Sequence, residues 1–381
     1  MDTDVLVVGG GAAGLAAATA LRAHAPHLGV TLVNPTPYNV YRPWLQYVLP
    51  HLLPPDDLRI PLAPMAEQHG FVFRQAEVDT LDAGAAVALL DGEPIRYRRV
   101  IIAAGAPTDH AALPGAARHA VFPCDLPGFT ELQQRLDTLD SGVATIVLTG
   151  ERISPGLEDA AWLARTRSML ARPGARIRLV ADGSCFGDQF GSGPARRIRQ
   201  RLEAWGAEVV LGTSVASIQP DGLTLADGRT LPSAVTAVVG ALRGPDVKTS
   251  GLTDERGFFP VDAYLRSAYE PTVFVAGDAV AQAVPGVRKN WQLAVRQAIT
   301  AAGNVVRSLA GDKLSTFDDA RDRRLAGFSL PDVGGKAYLV WNGRLISSGR
   351  AARRIRIGFD RKHFAAYLPE DARWKRVPAG P

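Results

Sequence analysis

A chain of 381 residues, 46% hydrophobic and 21% charged, is long enough for two or three domains with sizeable cores, a balance that excludes disordered and fibrous classes. No apolar run approaches the ~20 residues of a membrane-spanning helix, and residues 1–4 lead straight into an apolar strand, so neither a transmembrane segment nor a secretory leader is expected and the location is expected to be cytoplasmic. Much of the +5 formal charge is local to Arg350, Arg353, Arg354, Arg356, Arg361, Lys362, Arg373, Lys375 and Arg376; no nucleic-acid motif accompanies that run, so nucleic acid is not an expected partner.

In chain order, Val5, Leu6, Val7 and Val8 read as a buried parallel strand, and the Ala-rich stretch 15–21 reads as a helix. Between them stands Gly-x-Gly-x-x-Gly at Gly9, Gly11 and Gly14, with Ala12 and Ala13 in its variable positions. The first glycine permits a tight turn, the second lets a pyrophosphate approach the backbone, and the third lets helix and strand pack closely. The helix N-terminus then faces the phosphates with its partial positive charge. A strand before and a helix after are the context that makes this pattern a dinucleotide site. The next strand, residues 30–33, ends at Asn34, about twenty residues beyond Gly14, where an acid usually accepts from ribose hydroxyls. Asn34 can accept and donate there, but without charge.

Residues 35–55 hold Tyr38, Tyr41, Trp44 and Tyr47 among prolines, with Arg42 and Pro43 between them, and are too apolar for a solvated loop. They read equally well as a segment packed on the sheet or as a wall beside a flat aromatic cofactor. Residues 72–74, 76–78 and 86–90 then alternate as strands, with Val78 among them. Asp91-Gly92 marks a hairpin, and residues 95–97 precede a buried strand that ends at Ala104-Gly105.

The pattern recurs about 135 residues later, which points to two homologous nucleotide-binding domains, each with a β-meander before its last strand. The second opening turn, after the strand 144–148, keeps Gly150, Gly156 and Glu158 but admits Arg152 and Pro155; a helix is expected over 159–170. The strand 176–180 ends near Asp182, where a ribose-binding acid belongs. A degenerate second nucleotide site, and a domain that keeps the fold without the nucleotide, are both open on these residues. Cys124 and Cys185 are too far apart for a close ligand or redox pair, and no metal site is expected. The chain then returns with an apolar strand ending in Gly277-Asp278, whose carboxylate can accept from a ribityl hydroxyl. Lys289, Asn290, Trp291 and Gln292 open a helix that carries Arg296 and Gln297 and runs to about residue 309. Residues 327–381 interleave basic residues with Ile355, Ile357, Phe359, Phe364 and Tyr367, as a small cap or as an amphipathic, surface-seeking element.

Three motifs in order resemble the two-dinucleotide-binding-domain flavoproteins: the first Gly-rich turn, the strand from Tyr97 to Ala104-Gly105, and Ala276-Gly277-Asp278. The resemblance covers roughly residues 3–310. It implies an α/β chain with two Rossmann-like, three-layer ββα domains, the second inserted in the first, plus a small C-terminal α+β tail. Residues 1–113 and 255–326 would then hold FAD, 114–254 would form the NAD(P)-binding-like insert, and 327–381 the cap or membrane-facing tail. Within that superfamily the chain is most similar to type II NADH dehydrogenases and sulfide:quinone reductases. Tyr41-Arg42-Pro43-Trp44-Leu45 is similar to their Phe-x-Pro-Leu-Leu stretch beside the flavin, and Trp291-Gln292-x-Ala294-x-Arg296-Gln297 resembles their Ala-Gln-x-Ala-x-Gln-Gln helix start at the quinone pocket.

On that basis Gly9, Gly11, Ala12, Ala13, Gly14, Asn34, Arg42, Pro43, Val78, Ala104, Gly105, Gly277, Asp278, Asn290 and Trp291 are expected to bind FAD. Gly150, Gly156, Glu158 and Asp182 are expected to hold NAD(P)H. Lys289 or the helix start at Asn290–Gln292 would serve the pyrimidine edge of the flavin, and Gln292, Arg296 and Gln297 the acceptor. The implied activity passes electrons from NAD(P)H through flavin to a quinone or similar two-electron acceptor. The implied partners are that small-molecule acceptor, a membrane inner face touched by the basic tail, and a second copy of the chain in a homodimer. Two departures keep alternatives open. Arg152-Ile153-Ser154-Pro155-Gly156 is similar to the Arg-Cys-Pro-Pro-Gly of sulfide-oxidising relatives but lacks the cysteine, which disfavours oxidation by a cysteine pair and leaves Cys124 alone. The degenerate second turn admits a non-nicotinamide donor, as in a sulfide-reductase-like or metabolite-tailoring enzyme, or a non-catalytic protein that retains flavin.

Overall fold

Successive residues of the first strand, Asp2–Val8, bury on opposite faces: Val5 and Val7 in one apolar cluster, Leu6 and Val8 in another. A strand apolar on both faces belongs at the centre of a sheet covered on both sides. The computed structural model describes residues 2–49, 51–150, 154–169, 175–182, 191–281, 289–317, 328–329, 331–341 and 343–365, so that Arg152, Ile153, Cys185, Tyr367, Arg373, Lys375 and Arg376 lie outside the described residues. In it, Asp2–Val8 pairs in parallel with Val30–Asn34 on one side and Glu93–Ile102 on the other. Val72–Gln75 and Val273–Val275 extend this parallel sheet at either end.

Helices Ala12–His24 and Trp291–Ala310 cover one face and pack against each other. Their buried faces are largely alanine, including Ala16, Ala17 and Ala18 on the first and Ala298, Ala301 and Ala302 on the second, so the two backbones can approach closely. The other face is covered by the antiparallel strands Val78–Asp82 and Val87–Leu90 and the first half of Glu93–Ile102. Where the sequence reads as two short strands at 95–97 and 100–104, the structure has a single ten-residue strand. No glycine or proline interrupts it after Pro94. Its early half therefore pairs antiparallel with Val87–Leu90 while its late half pairs parallel with Val273–Val275.

The inserted domain repeats the plan with a parallel sheet ordered Glu208–Leu211, Ala175–Ala181, Gly142–Leu148, Val235–Val239. Its meander, Val215–Gln219, Gly222–Leu225 and Thr230–Pro232, is a separate sheet. Here Pro232 and Ser233 break the run: the Ser233 hydroxyl donates to the Val235 carbonyl at 3.0 Å and accepts from Thr236 Oγ1 at 2.9 Å. The helix expected over 159–170 begins earlier, as Ser154–Met169. Pro155 is tolerated in its first turn because an N–H there has no intrahelical partner to lose.

The tail forms a small antiparallel sheet of Phe328–Ser329, Asp332–Val333, Lys336–Trp341 and Arg344–Gly349, followed by helix Arg350–Ala365. It caps the inserted domain, packing on Ser154–Met169 and Ser192–Ala204. A Cβ on Gly191 would stand 2.3 Å from the Gly343 carbonyl oxygen, so the two backbones touch there. Along the last helix Ala352 and Arg356 are buried and Ile357 packs against the core, while Arg350, Arg354, Ile355 and Phe359 are exposed, so one arginine lies on the buried face and two large apolar residues lie outside it. Among the described residues no helix is long and apolar enough to cross a membrane.

Candidate functional site: a dinucleotide cradle at the strand ends

Three strands of the first sheet end at one level. Gly9 N–H donates to Val33 O at 2.8 Å, Ala103 N–H to Val8 O at 2.8 Å, and Ala276 N–H to Ile102 O at 3.0 Å. In open parallel sheets ligands bind at these carboxyl ends. Gly9 has φ +103°, and a Cβ there would lie 2.5 Å from Ala103 O; a Cβ on Gly14 would lie only 1.7 Å from Gly9 O. Around Gly11, by contrast, nothing stands within 4 Å of a built Cβ. Gly11 is also the N-cap of Ala12–His24 and offers no side-chain cap, which leaves first-turn N–H groups, Ala12 and Ala13 among them, without a side-chain acceptor. Open space, bare N–H donors and the positive end of a helix fit a pyrophosphate.

The returning segment closes on the same point. Gly277 has φ +76°, and a Cβ there would lie 3.0 Å from the Ala13 Cβ, so the Gly277-Asp278 turn rests directly on the first helix. Gln297, expected to serve the acceptor, has another partner: its buried Oε1 accepts from Gly277 N–H at 2.9 Å and fixes that turn. Lys289 is likewise drawn into the fold, its Nζ donating to Asp278 O and Val280 O at 2.6 Å and lying 3.9 Å from the Phe258 ring centroid. Asn290 caps the helix, accepting from Leu293 N–H at 2.9 Å. Gln292 and Arg296, four apart and half-buried, share a different helix face from Gln297. Replacing Gln297 with leucine should orphan the buried Gly277 N–H at a cost of about 1–3 kcal/mol and weaken flavin retention roughly tenfold. Equilibrium dialysis of flavin against the variant checks this.

Asn34 does what an acid could not. Its Oδ1 accepts from Gly10 N–H at 2.8 Å, and its Nδ2 donates to the Thr36 carbonyl at 2.9 Å and hydroxyl at 3.0 Å. Its own carbonyl accepts from Ala76 N–H at 3.1 Å, which brings the start of the Val78 strand beside it. Ala104 and Gly105 follow the end of Glu93–Ile102, with open space at Gly105. Arg42 and Pro43 start the 3-10 helix Arg42–Tyr47. Tyr41 joins it to the long helix, with edge-on ring contacts of 5.2 Å to Trp44 and 6.3 Å to Trp291.

In the insert, Gly150 and Asp182 stand at the carboxyl ends of adjacent strands, and a Cβ on Gly150 would lie 2.9 Å from Gly240 O. Gly156 lies within the first turn of Ser154–Met169. Glu158, expected at the second nucleotide, points into the cap instead: both carboxylate oxygens accept from Arg356, and Oε1 also accepts from Asp332 N–H at 2.9 Å. Burial pushes its pKa up, and the Arg356 guanidinium pulls against that. Cys124 is half-buried against the core. Neither the Gln297–Gly277 bond nor the Glu158–Arg356 pair carries a local sequence signal.

The fold and this cradle define a dinucleotide-binding protein. The family described as pyridine nucleotide-disulphide oxidoreductase matches residues 3–298, and the chain belongs to it. Flavoproteins of that family use FAD and pyridine nucleotides. Over 298 residues the chain is 30% identical to an NADH dehydrogenase-like protein of Mycobacterium tuberculosis, covering 73% of each. It is 24% identical to the sulfide-quinone reductase of Aquifex aeolicus over 363 residues, covering 88% of this chain and 82% of that one. A crystal structure of the sulfide:quinone oxidoreductase from Aquifex aeolicus shares the fold with a TM-score of 0.83 at 20% identity, covering 94% of this chain and 90% of that one.

Proposed function

We propose that the chain binds FAD in the cradle and takes a hydride from NAD(P)H, then delivers two electrons to a quinone. The observation that carries this reading is the convergence of the first Gly-rich turn, the Gly277-Asp278 turn and the start of Trp291–Ala310 on one point. When bound, FAD supplies the two-electron exchange between a hydride donor and an acceptor. Gly9, Gly11 and Gly14 admit its pyrophosphate to the helix N-terminus, and Asn34 shapes the turn beside the ribose. Asp278 accepts from the ribityl chain, with Lys289 and Gln297 holding the turn that carries it. Ala104, Gly105, Arg42, Pro43 and Trp291 border the ring, and Gln292 and Arg296 face the acceptor. Similarity to a sulfide-quinone reductase and to the demethylphylloquinone reductase of Synechocystis supports a quinone.

The quinone enters from a membrane inner face on which the tail rests. Trp341 and Ile346 on the tail's strands and Ile355 on its last helix are 50%, 56% and 45% exposed, and Arg350 and Arg354 of that helix are exposed too, residue types suited to an anionic lipid interface. A homodimer is part of this reading by resemblance alone. A second reading, a non-nicotinamide donor, is favoured by the engagement of Glu158 with Arg356 and Asp332. Anaerobic NADH or NADPH should bleach the flavin band near about 450 nm, and a quinone in anionic vesicles should restore it while the protein sediments with the vesicles. Bleaching by some other donor alone would select the second reading.

A further inference from the structure

Three parts of the chain meet at a buried polar node: the flavin-side segment Arg42–Tyr47, the helix Ser154–Met169 of the insert, and the C-terminal cap. Arg356 lies at its centre, 9% exposed, between Glu158 and Pro43. Its Nη1 donates to Glu158 Oε1, and its Nη2 donates to Glu158 Oε2 at 3.2 Å and to the Pro43 carbonyl at 3.2 Å. Asp332, 0% exposed, completes the node by accepting from Tyr47 Oη at 2.8 Å and from Arg353 Nε at 3.3 Å. Tyr47 also meets the Trp162 ring edge-on at 5.4 Å.

Trp44, Leu45 and Tyr47 bury their side chains in the core, but the segment's backbone has few bonds of its own to fix its register. It is a 3-10 helix, whose hydrogen bonds have poor geometry: Trp44 N–H reaches Tyr41 O at 3.3 Å. Pro43 has no N–H to contribute. Yet both ends are tied to the cap, Pro43 by its carbonyl to Arg356 and Tyr47 by its hydroxyl to Asp332. We infer that Arg356 is a positioning residue, supplied by the C-terminal helix beyond the family-matched residues, that sets the segment Arg42–Tyr47 against the flavin. The proposal rests on the reading of that segment as the wall of the FAD site. It follows that the cap does more than cover the insert: through one guanidinium it registers the insert and the flavin wall together. Lysine cannot replace it, because a point-like ammonium lacks the planar fork that spans a carboxylate and a carbonyl at once.

The test uses the full chain with FAD and the double variant E158Q/R356M. Replacing a buried ion pair by neutral groups of similar volume leaves stability near wild type, and the introduced glutamine keeps a carbonyl oxygen as acceptor for the Asp332 N–H. The Pro43 carbonyl, however, loses its donor. The double variant should melt near the wild-type temperature, yet show an altered visible circular dichroism of the bound flavin and an FAD dissociation constant raised roughly tenfold. Wild-type flavin dichroism and affinity in a variant of wild-type stability would overturn the proposal, since a purely structural pair predicts that outcome. Amide hydrogen exchange gives a second reading in R356K: residues 41–49 should exchange at least about tenfold faster than in wild type, with the strand Asp2–Val8 unchanged. Unchanged exchange there would equally overturn it. If the wild-type protein itself takes up no FAD, the functional reading fails instead, and the exchange result still decides whether Arg356 orders the segment.

Discussion

Gly14→Val should purify without flavin and with lowered stability. A Cβ at Gly14 lies 1.7 Å from the Gly9 carbonyl oxygen, a backbone atom that cannot move without shifting the strand end. Helix Ala12–His24 must therefore retreat from the strand, at about 3 kcal/mol or more, and its N-terminal amides leave the phosphate position. Gly11→Ala separates the two consequences. No atom lies within 4 Å of a Cβ there, so the apo fold should keep its stability to within about 0.5 kcal/mol while the added methyl occupies the approach of the pyrophosphate. Flavin absorbance and thermal melts of the two variants measure both effects. Flavin retained by Gly14→Val would contradict the role assigned to the turn.

Asp159→Asn should stabilise the protein, increasingly so as pH rises. Asp159 is 0% exposed, and among the described residues neither carboxylate oxygen has a hydrogen-bond partner. Burial, with Glu158 beside it, pushes its pKa well above the usual carboxylate range. Between the ordinary carboxylate pKa and its raised value in the fold, the folded chain thus holds a proton on Asp159 that the unfolded chain has released. With more protons bound folded than unfolded, stability falls as pH rises, by about 1.4 kcal/mol per pH unit, from the ordinary carboxylate pKa until the folded group ionises. The contribution is fully present below the unfolded pKa. Asparagine removes the titration, so denaturant unfolding followed upward in pH from the ordinary carboxylate range should give a variant curve flatter by up to one proton until the folded Asp159 ionises. Parallel curves would show that Asp159 ionises in the fold.

Local chemistry makes much of the cradle legible. The Gly-rich turn, the apolar strand before Gly277 and the cap at Asn290 each follow from short-range constraints on φ, burial or unpaired N–H groups. What escapes depends on residues far apart in sequence. Gln297 stands in the motif that suggests acceptor contact, and only the fold brings Gly277 N–H to its side chain. Glu158 occupies the motif position of a nucleotide-side acid, but Arg356 and Asp332 arrive from the cap and claim it. The tail's interleaved basic and apolar residues suggest a small cap or a surface-seeking amphipathic element; the buried acid of the insert draws Arg356 inward beside Ala352 and Ile357, while Ile355 and Phe359 lie outward. A pattern of residue types cannot reveal which arginine of the helix is buried, because the partner that draws it in lies in another domain.

The most direct measurement is the flavin content of the purified wild-type chain, read from its visible spectrum after incubation with FAD and desalting. A stoichiometric FAD that NADH or NADPH bleaches under anaerobic conditions is the predicted result. A colourless protein that takes up no added FAD would contradict the claim that the first Gly-rich turn and the Gly277-Asp278 turn form one flavin site.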